Sequence, residues 1–395
     1  MYMSLLSVVG NSLSGFKAFT RKLDNLSHNV ANMNSPGFKK QDSFFRELND
    51  NGLGDGVRFS GTKTHFSQGD IFSTGQNTDL AIEGDGFFII ENEGEFLYTR
   101  AGQFTFVDDL LVDTTTGGAI LGLSESGELQ EITTSEWQSS TFSPTTEVNL
   151  SGNLSSLSAS DTEFPLSSDP PITVDVYDSV GTLHSLTLKY RKEASGDWTA
   201  EVHDSNNNLV GSGLLGFTSA GSPIAGANEL LVQLELSDNL THDITFKIGE
   251  PGEFDGLTSF PSQTANLSAL SVDGRGEGVL QSTEFNLNGD LVLTYSNGVV
   301  EEPFTIALAN FIDLSSLEVL SNSLFKAESS PDVIATADES IVGSIRSSSL
   351  ERSNVDVTDE FSEIIIIQRG YQACSQVLTV SNQMIEELYN SSKGG

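Results

Sequence analysis

Apolar residues at the two ends of this chain recur at steps of three and four, whereas those between recur at steps of two. A chain patterned in this way folds as a β-rich body carrying a helix at each terminus. From Leu6, apolar side chains fall at Val9, Leu13, Phe16, Leu23 and Val30, with Thr20 and Ser27 filling the remaining slots of one helical face. Val357, Phe361, Ile364, Tyr371, Leu378 and Ile385 form a second seam near the other end. Thr358 is the expected N-cap there, with Asp359 and Glu360 in the first turn, where the helix dipole favours acids. At the usual rise per residue these helices are roughly 40 and 50 Å long.

Neither helix is expected to stand alone. Gly15 interrupts the first and Gly370 the second, each costing about 1 kcal/mol relative to Ala. The isoleucine run at 364–367 spreads apolar surface over more than one face, which calls for several neighbours. The middle offers little helix to pack against. The two ends are therefore expected to pair with each other and with further copies, folding fully on assembly.

Residues 172–178, 184–190 and 197–202 alternate apolar and polar and are joined by turn-like links, which reads as a meander. Asn288-Gly289 marks a hairpin. Residues 84–90 and 102–113 read as further strands, and the Ser/Thr/Pro-rich stretches near 138–170 and 217–228 as a boundary and a loop.

Charge narrows the partners. With 55 acids against 19 bases the net charge is −36, which repels nucleic acid and anionic membranes. Residues 1–40 nevertheless carry a net +4 and residues 351–395 a net −4, so the ends attract one another. No run of 18 apolar residues exists, so no membrane insertion is expected. The start of the chain lacks a basic segment before its apolar part, and export is expected to proceed without a cleaved signal. A single cysteine, Cys374, excludes an intrachain disulfide.

No catalytic, cofactor-binding or metal-ligating residue is assigned. The glycines at 211, 213 and 216 have phosphate-loop spacing but no helix after them. The stretch from Asp204 mimics half a calcium loop, with Leu215 where a bidentate acid belongs. The five histidines are scattered, with His184 and His203 both in the meander. Carboxylate pairs mean little among 55 acids. A glycan-binding surface protein is an alternative from another class; its mark would be an aromatic platform among Trp137, Trp198 and the tyrosines.

The stretch VANMNSPGFKK, residues 30–40, ends the first helix abruptly. Pro36 holds Ser35 extended, and Gly37 frees the backbone to turn. Phe38 then anchors the departing chain on a neighbouring subunit or on its own β-domain, and Lys39 and Lys40 face the acidic body or the second helix.

LSHNVANMNSPGFKK (26–40) closely resembles the amino-terminal signature of the bacterial flagellar axial proteins, which build the rod and hook. Residues 80–90, 98–122, 176–190, 256–263, 289–298, 307–330 and 350–390 are similar to further blocks of that family. Cys374 departs from the more usual Asn. About 140 residues between the halves of the first β-domain, enough for an extra domain, point to the hook branch, with a distal-rod member as the alternative.

The resemblance implies a mainly β fold with α-helical termini that pair as a coiled coil in the polymer, and two nested β-rich domains. Residues 1–32 and 356–395 would form an inner helical domain and 33–72 a connector. Residues 73–145 with 284–355 would form the first β-domain, and 146–283 the outer one. It implies a self-assembling structural subunit with no cofactor and no enzymatic activity. Its partners would be copies of itself, rod proteins, the hook cap, hook–filament junction proteins and the flagellar export apparatus. The helix seams would lie at subunit interfaces, and Asn32, Asn34, Pro36, Gly37 and Phe38 would form the signature turn.

Overall fold

The computed structural model describes residues 5–49, 54–166, 169–235, 241–262, 265–337 and 342–393. The fold is mainly β with one long helix at each end, α1 (Leu5–Ala31) and α2 (Val357–Lys393). The chain divides into two compact units, Met1–Glu136 with Ser282–Leu293 and Glu301–Gly395, and Trp137–Gln281 with Thr294–Val300.

In the first unit an antiparallel sheet is built around Phe87–Asn92, flanked by Glu95–Thr99, Phe304–Asn310 and Ala119–Ser124. Phe87, Phe88, Ile89 and Ile90 are all buried, so this strand reads as a continuous apolar run and not as an alternating one. Phe87 meets Phe66, Phe311 and Phe325 nearly edge-on at 5.8, 6.0 and 5.6 Å, and Tyr98 meets Phe311 at 4.8 Å. Such pairs contribute about 0.5–1.5 kcal/mol each beyond area burial. A two-stranded ribbon, β1 (Gln41–Asn49) and β2 (Gly54–Thr64), packs along α1. The turn at Asn288-Gly289 forms, with Gly289 at φ +84° and the Asn286 Oδ1 accepting from the amides of Asn288 and Asp290.

The second unit is a sandwich of two sheets around one core. The meander runs Ile172–Tyr177, Leu183–Lys192 and Trp198–His203, continues into Leu209–Leu215, and is antiparallel throughout. Its inward residues Val174, Leu186, Leu188 and Val202 meet Val148, Val232, Ile244 and Phe246 of the other sheet. Trp198, fully buried, carries the Lys192 ammonium over its ring at 5.0 Å. The glycines at 211 and 213 lie in a strand. Asp204 closes a tight turn, its Oδ1 accepting from the amides of Asn206 and Asn208.

Trp198→Ala is expected to destabilise the second unit by about 3–5 kcal/mol and leave the terminal helices intact. Denaturant unfolding, followed separately by tertiary signal and helical circular dichroism, checks this.

Candidate assembly interface

Ala31 is the last residue of α1, and Asn32 closes the helix by donating its amide and its side-chain Nδ2 to the carbonyl of His28, at 3.2 and 2.9 Å. Asn32 O and Oδ1 then take the amide and hydroxyl of Ser35, at 3.1 and 3.2 Å. Asn34 is exposed and Pro36 half-buried at the bend. Gly37 has φ +68°, and a Cβ there would lie 2.3 Å from the Ala101 amide nitrogen, so only glycine fits. Phe38 is buried within its own chain, edge-on to His28 at 5.5 Å. The choice left open between a neighbour and the chain itself is thus resolved in favour of the chain itself.

The two lysines take different partners. Lys39 points inward to Glu351: its Nζ lies 2.7 Å from Oε1 and donates to Ser67 O at 2.9 Å. The same Oε1 accepts from the Gly69 amide at 2.7 Å, and the Glu351 carbonyl accepts from Gly37 at 2.9 Å. Arg100 Nη1 approaches Oε2 at 3.5 Å, with the guanidinium 5.0 Å from the centre of the Phe87 ring. All three side chains are at most 2% exposed. Burial pushes the Lys39 amine below its ordinary value, against the pull of Glu351.

Lys40 reaches α2, pairing with Glu360 Oε1 at 2.6 Å. Glu360 Oε2 also accepts from Asn29 Nδ2 at 3.3 Å, which joins α1, the connector and α2 at one carboxylate. Burial draws the Lys40 amine down, but the hydrogen bond and charge of Glu360 outweigh it and raise it above 10.5. That pairing is therefore fully present below pH 10.5 and fades as pH rises through the higher folded value.

The helices run antiparallel. Lys22 pairs with Glu363 at 3.0 Å, and the Phe16 and Tyr371 rings meet at 4.3 Å, tilted by 37°. A Cβ on Gly15 would lie 3.2 Å from Cys374 Sγ, and one on Gly370 only 2.4 Å from the Phe19 ring. These glycines cost helix propensity and permit close approach. The α2 cap is Asp356, two residues before the expected Thr358: its Oδ1 accepts from the amides of Thr358 and Asp359 at 2.7 and 3.3 Å. Those bonds hold its carboxyl below the usual range.

The line buried along the pair is Ser12, Leu26 and Asn29 on α1, and Glu360, Ile367 and Ser381 on α2. The apolar seams read from the sequence lie beside it. Val9, Phe16, Leu23, Val30, Ile364 and Leu378 are half-buried; Leu13, Phe361, Tyr371 and Ile385 are exposed. The side chain of Leu6 lies outside the described residues. Together with Phe361, the exposed Ile365, Ile366, Val377, Val380 and Met384 leave α2 with a long apolar surface that the described residues cover only in part. Ile366 is 66% exposed.

Other candidates dissolve into local structure. His184 bonds to Asp178 at 2.8 Å and His203 lies beside Glu201 at 3.3 Å, so they do not meet. Trp198, Tyr190, Tyr98 and Tyr295 are buried and Trp137 is half-buried, so these side chains make no exposed platform. No group of three potential ligands suited to a metal ion occurs among the described residues.

Glu351→Gln is expected to cost about 3–5 kcal/mol, because two buried cations lose their anion; equilibrium unfolding measures it. Gly37→Ala is expected to cost at least about 2 kcal/mol through left-handed strain and the backbone clash, again by unfolding.

Three family models match along the chain: "Flagellar hook protein FlgE/F/G D1 domain" over residues 81–159, "Flagellar basal body protein FlaE D2 domain" over 149–310, and "Flagellar basal body rod FlgEFG protein C-terminal" over 346–391. The chain is 26% identical to the flagellar hook protein FlgE of Borreliella burgdorferi, over 96% of this chain and 98% of that one. It is 27% identical to FlgE of Escherichia coli, over 96% and 98%, and 27% identical to FlgE of Rhizobium meliloti, over 98% and 99%. A crystal structure of Helicobacter pylori flagellar hook protein FlgE2 aligns with a TM-score of 0.42 and 14% identity, covering 70% of this chain and 99% of that one. With relatives of one kind matched from end to end and three domain models in their family order, the chain belongs to the flagellar hook protein family.

Proposed function

We propose that this chain is the structural subunit of the bacterial flagellar hook. Copies polymerise into the flexible curved tube that couples the basal-body rod to the filament and transmits torque. The observation that carries this reading is the uncovered apolar surface of α2, lying beside an intrachain seam made largely of small and polar residues. Burying the remainder of each such side chain contributes about 1 kcal/mol, and repetition across many copies sums to a stable polymer.

On this reading the helices of residues 1–32 and 356–395 lie at the inside of the tube. Residues 33–72 connect them to a first β-domain, 73–145 with 284–355, and 146–283 form an outer one. The subunit is exported through the flagellar channel to the cell exterior without a cleaved signal. It meets the export apparatus in transit, rod proteins at its base, the cap during growth and junction proteins at its tip. The reading assigns it no catalytic step and no cofactor.

The double variant Phe361→Asn, Ile366→Asn tests the reading. Both side chains are mostly exposed, so monomer stability should move by no more than about 1 kcal/mol, whereas polymer in sedimentation and electron microscopy should disappear. Polymer formed as readily as by the parent chain would refute the assignment of this face.

A further inference from the structure

In a chain of net charge −36, one surface gathers several bases that form no ion pair among the described residues. A groove of about 340 Å³ between α1 and β2 is lined by Leu13, Lys17, Arg21, Val57, Arg58 and Phe59. Arg21 lies over the Phe59 ring at 5.9 Å from its centre. Leu13, Val57 and Phe59 are 45, 37 and 39% exposed, so the floor is apolar and open. Beyond its edge, Arg58 stands directly opposite Arg46 in the β1–β2 register, an arrangement of like charges that destabilises a ribbon unless an anion joins it. All four cations are exposed, and none makes an ion pair among the described residues.

The complementary surface lies on α2. Gly15 faces Cys374, and Val8 shares a groove with Val377 and Met384. Antiparallel continuation therefore carries α2 past the first described residue of α1 after about Met384. Ile385 is 41% exposed there, and Glu386 and Glu387 are exposed with no ion pair among the described residues. An apolar residue followed by two acids matches an apolar floor rimmed by cations, the usual arrangement for a helix seated in a groove. The charges would also steer two otherwise repelling copies into register.

We propose that the groove between α1 and β2 receives the end of α2 from a second copy of this chain, with Lys17, Arg21 and Arg58 facing Glu386 and Glu387. The proposal rests on the self-assembly reading above and names the residues that set its register.

Charge reversal in the full chain tests it. Lys17→Glu with Arg21→Glu, and separately Glu386→Lys with Glu387→Lys, should each raise the concentration needed for polymerisation by about tenfold or more. All four changes in one chain should return it close to the parent value. Circular dichroism identifies any variant that fails to fold; for that case the neutral pair Lys17→Gln, Arg21→Gln should still raise the required concentration. Groove variants that polymerise like the parent, or a four-fold reversal no better than either half, would overturn the proposal while the parent's polymer keeps the self-assembly reading intact. A parent chain that forms no polymer at any concentration would overturn both.

Discussion

One buried carboxylate holds the helical part of this protein to its β-sheet. Glu351 takes the Lys39 ammonium and the Gly69 amide on one oxygen, faces Arg100 with the other, and accepts from Gly37 through its carbonyl. Its partners come from the signature turn, the connector and the residue just after the strand ending at Thr99, and its own strand, Ser349–Glu351, precedes α2. Buried charges are costly unless each finds a partner, so these segments have little freedom to shift separately. A second carboxylate, Glu360, repeats the device where Lys40 and Asn29 converge on the first turn of α2. Between them they fix where α2 starts and which side of it faces α1.

That orientation has a consequence for assembly. The intrachain seam is made where Gly15, Gly370, Ser12, Ser381 and the Lys22–Glu363 pair allow close approach. The larger apolar side chains are thereby turned to the flanks. Within one chain this wastes apolar surface; in a polymer it distributes that surface among neighbours. On the proposed reading the acidic surface opposes indiscriminate clustering, charge selects the geometry and apolar burial supplies most of the free energy.

Much of this was legible in the sequence, for identifiable reasons. Steps of three and four located both helices, period two located the meander around Trp198, and Asn288-Gly289 marked a separate turn in the first unit. Hydropathy could not reveal which helix face turns inward, because most inward positions are small or polar (Ser12, Gly15, Asn29, Glu360, Cys374, Ser381), with only Leu26 and Ile367 large and apolar among the buried ones. The cap of α2 is Asp356 and not Thr358: both residue types cap well, and with the helix starting at Val357 it is Asp356 Oδ1 that takes the amides of Thr358 and Asp359. The Glu351 cluster was invisible, since Lys39 lies 312 residues away in sequence. Of the residues that imitate functional motifs, Gly211 and Gly213 lie in a strand, Asp204 closes a turn, and His184 and His203 are strand residues beside carboxylates.

The central claim is that the flank of α2, left largely open by the described residues of its own chain, is covered by other copies. Hydroxyl-radical footprinting of monomer and polymer measures this directly, side chain by side chain. Phe361, Ile365 and Ile366 should be readily oxidised in the monomer and protected in the polymer. Equal oxidation of these three in both states, with protection arising elsewhere, would contradict the account.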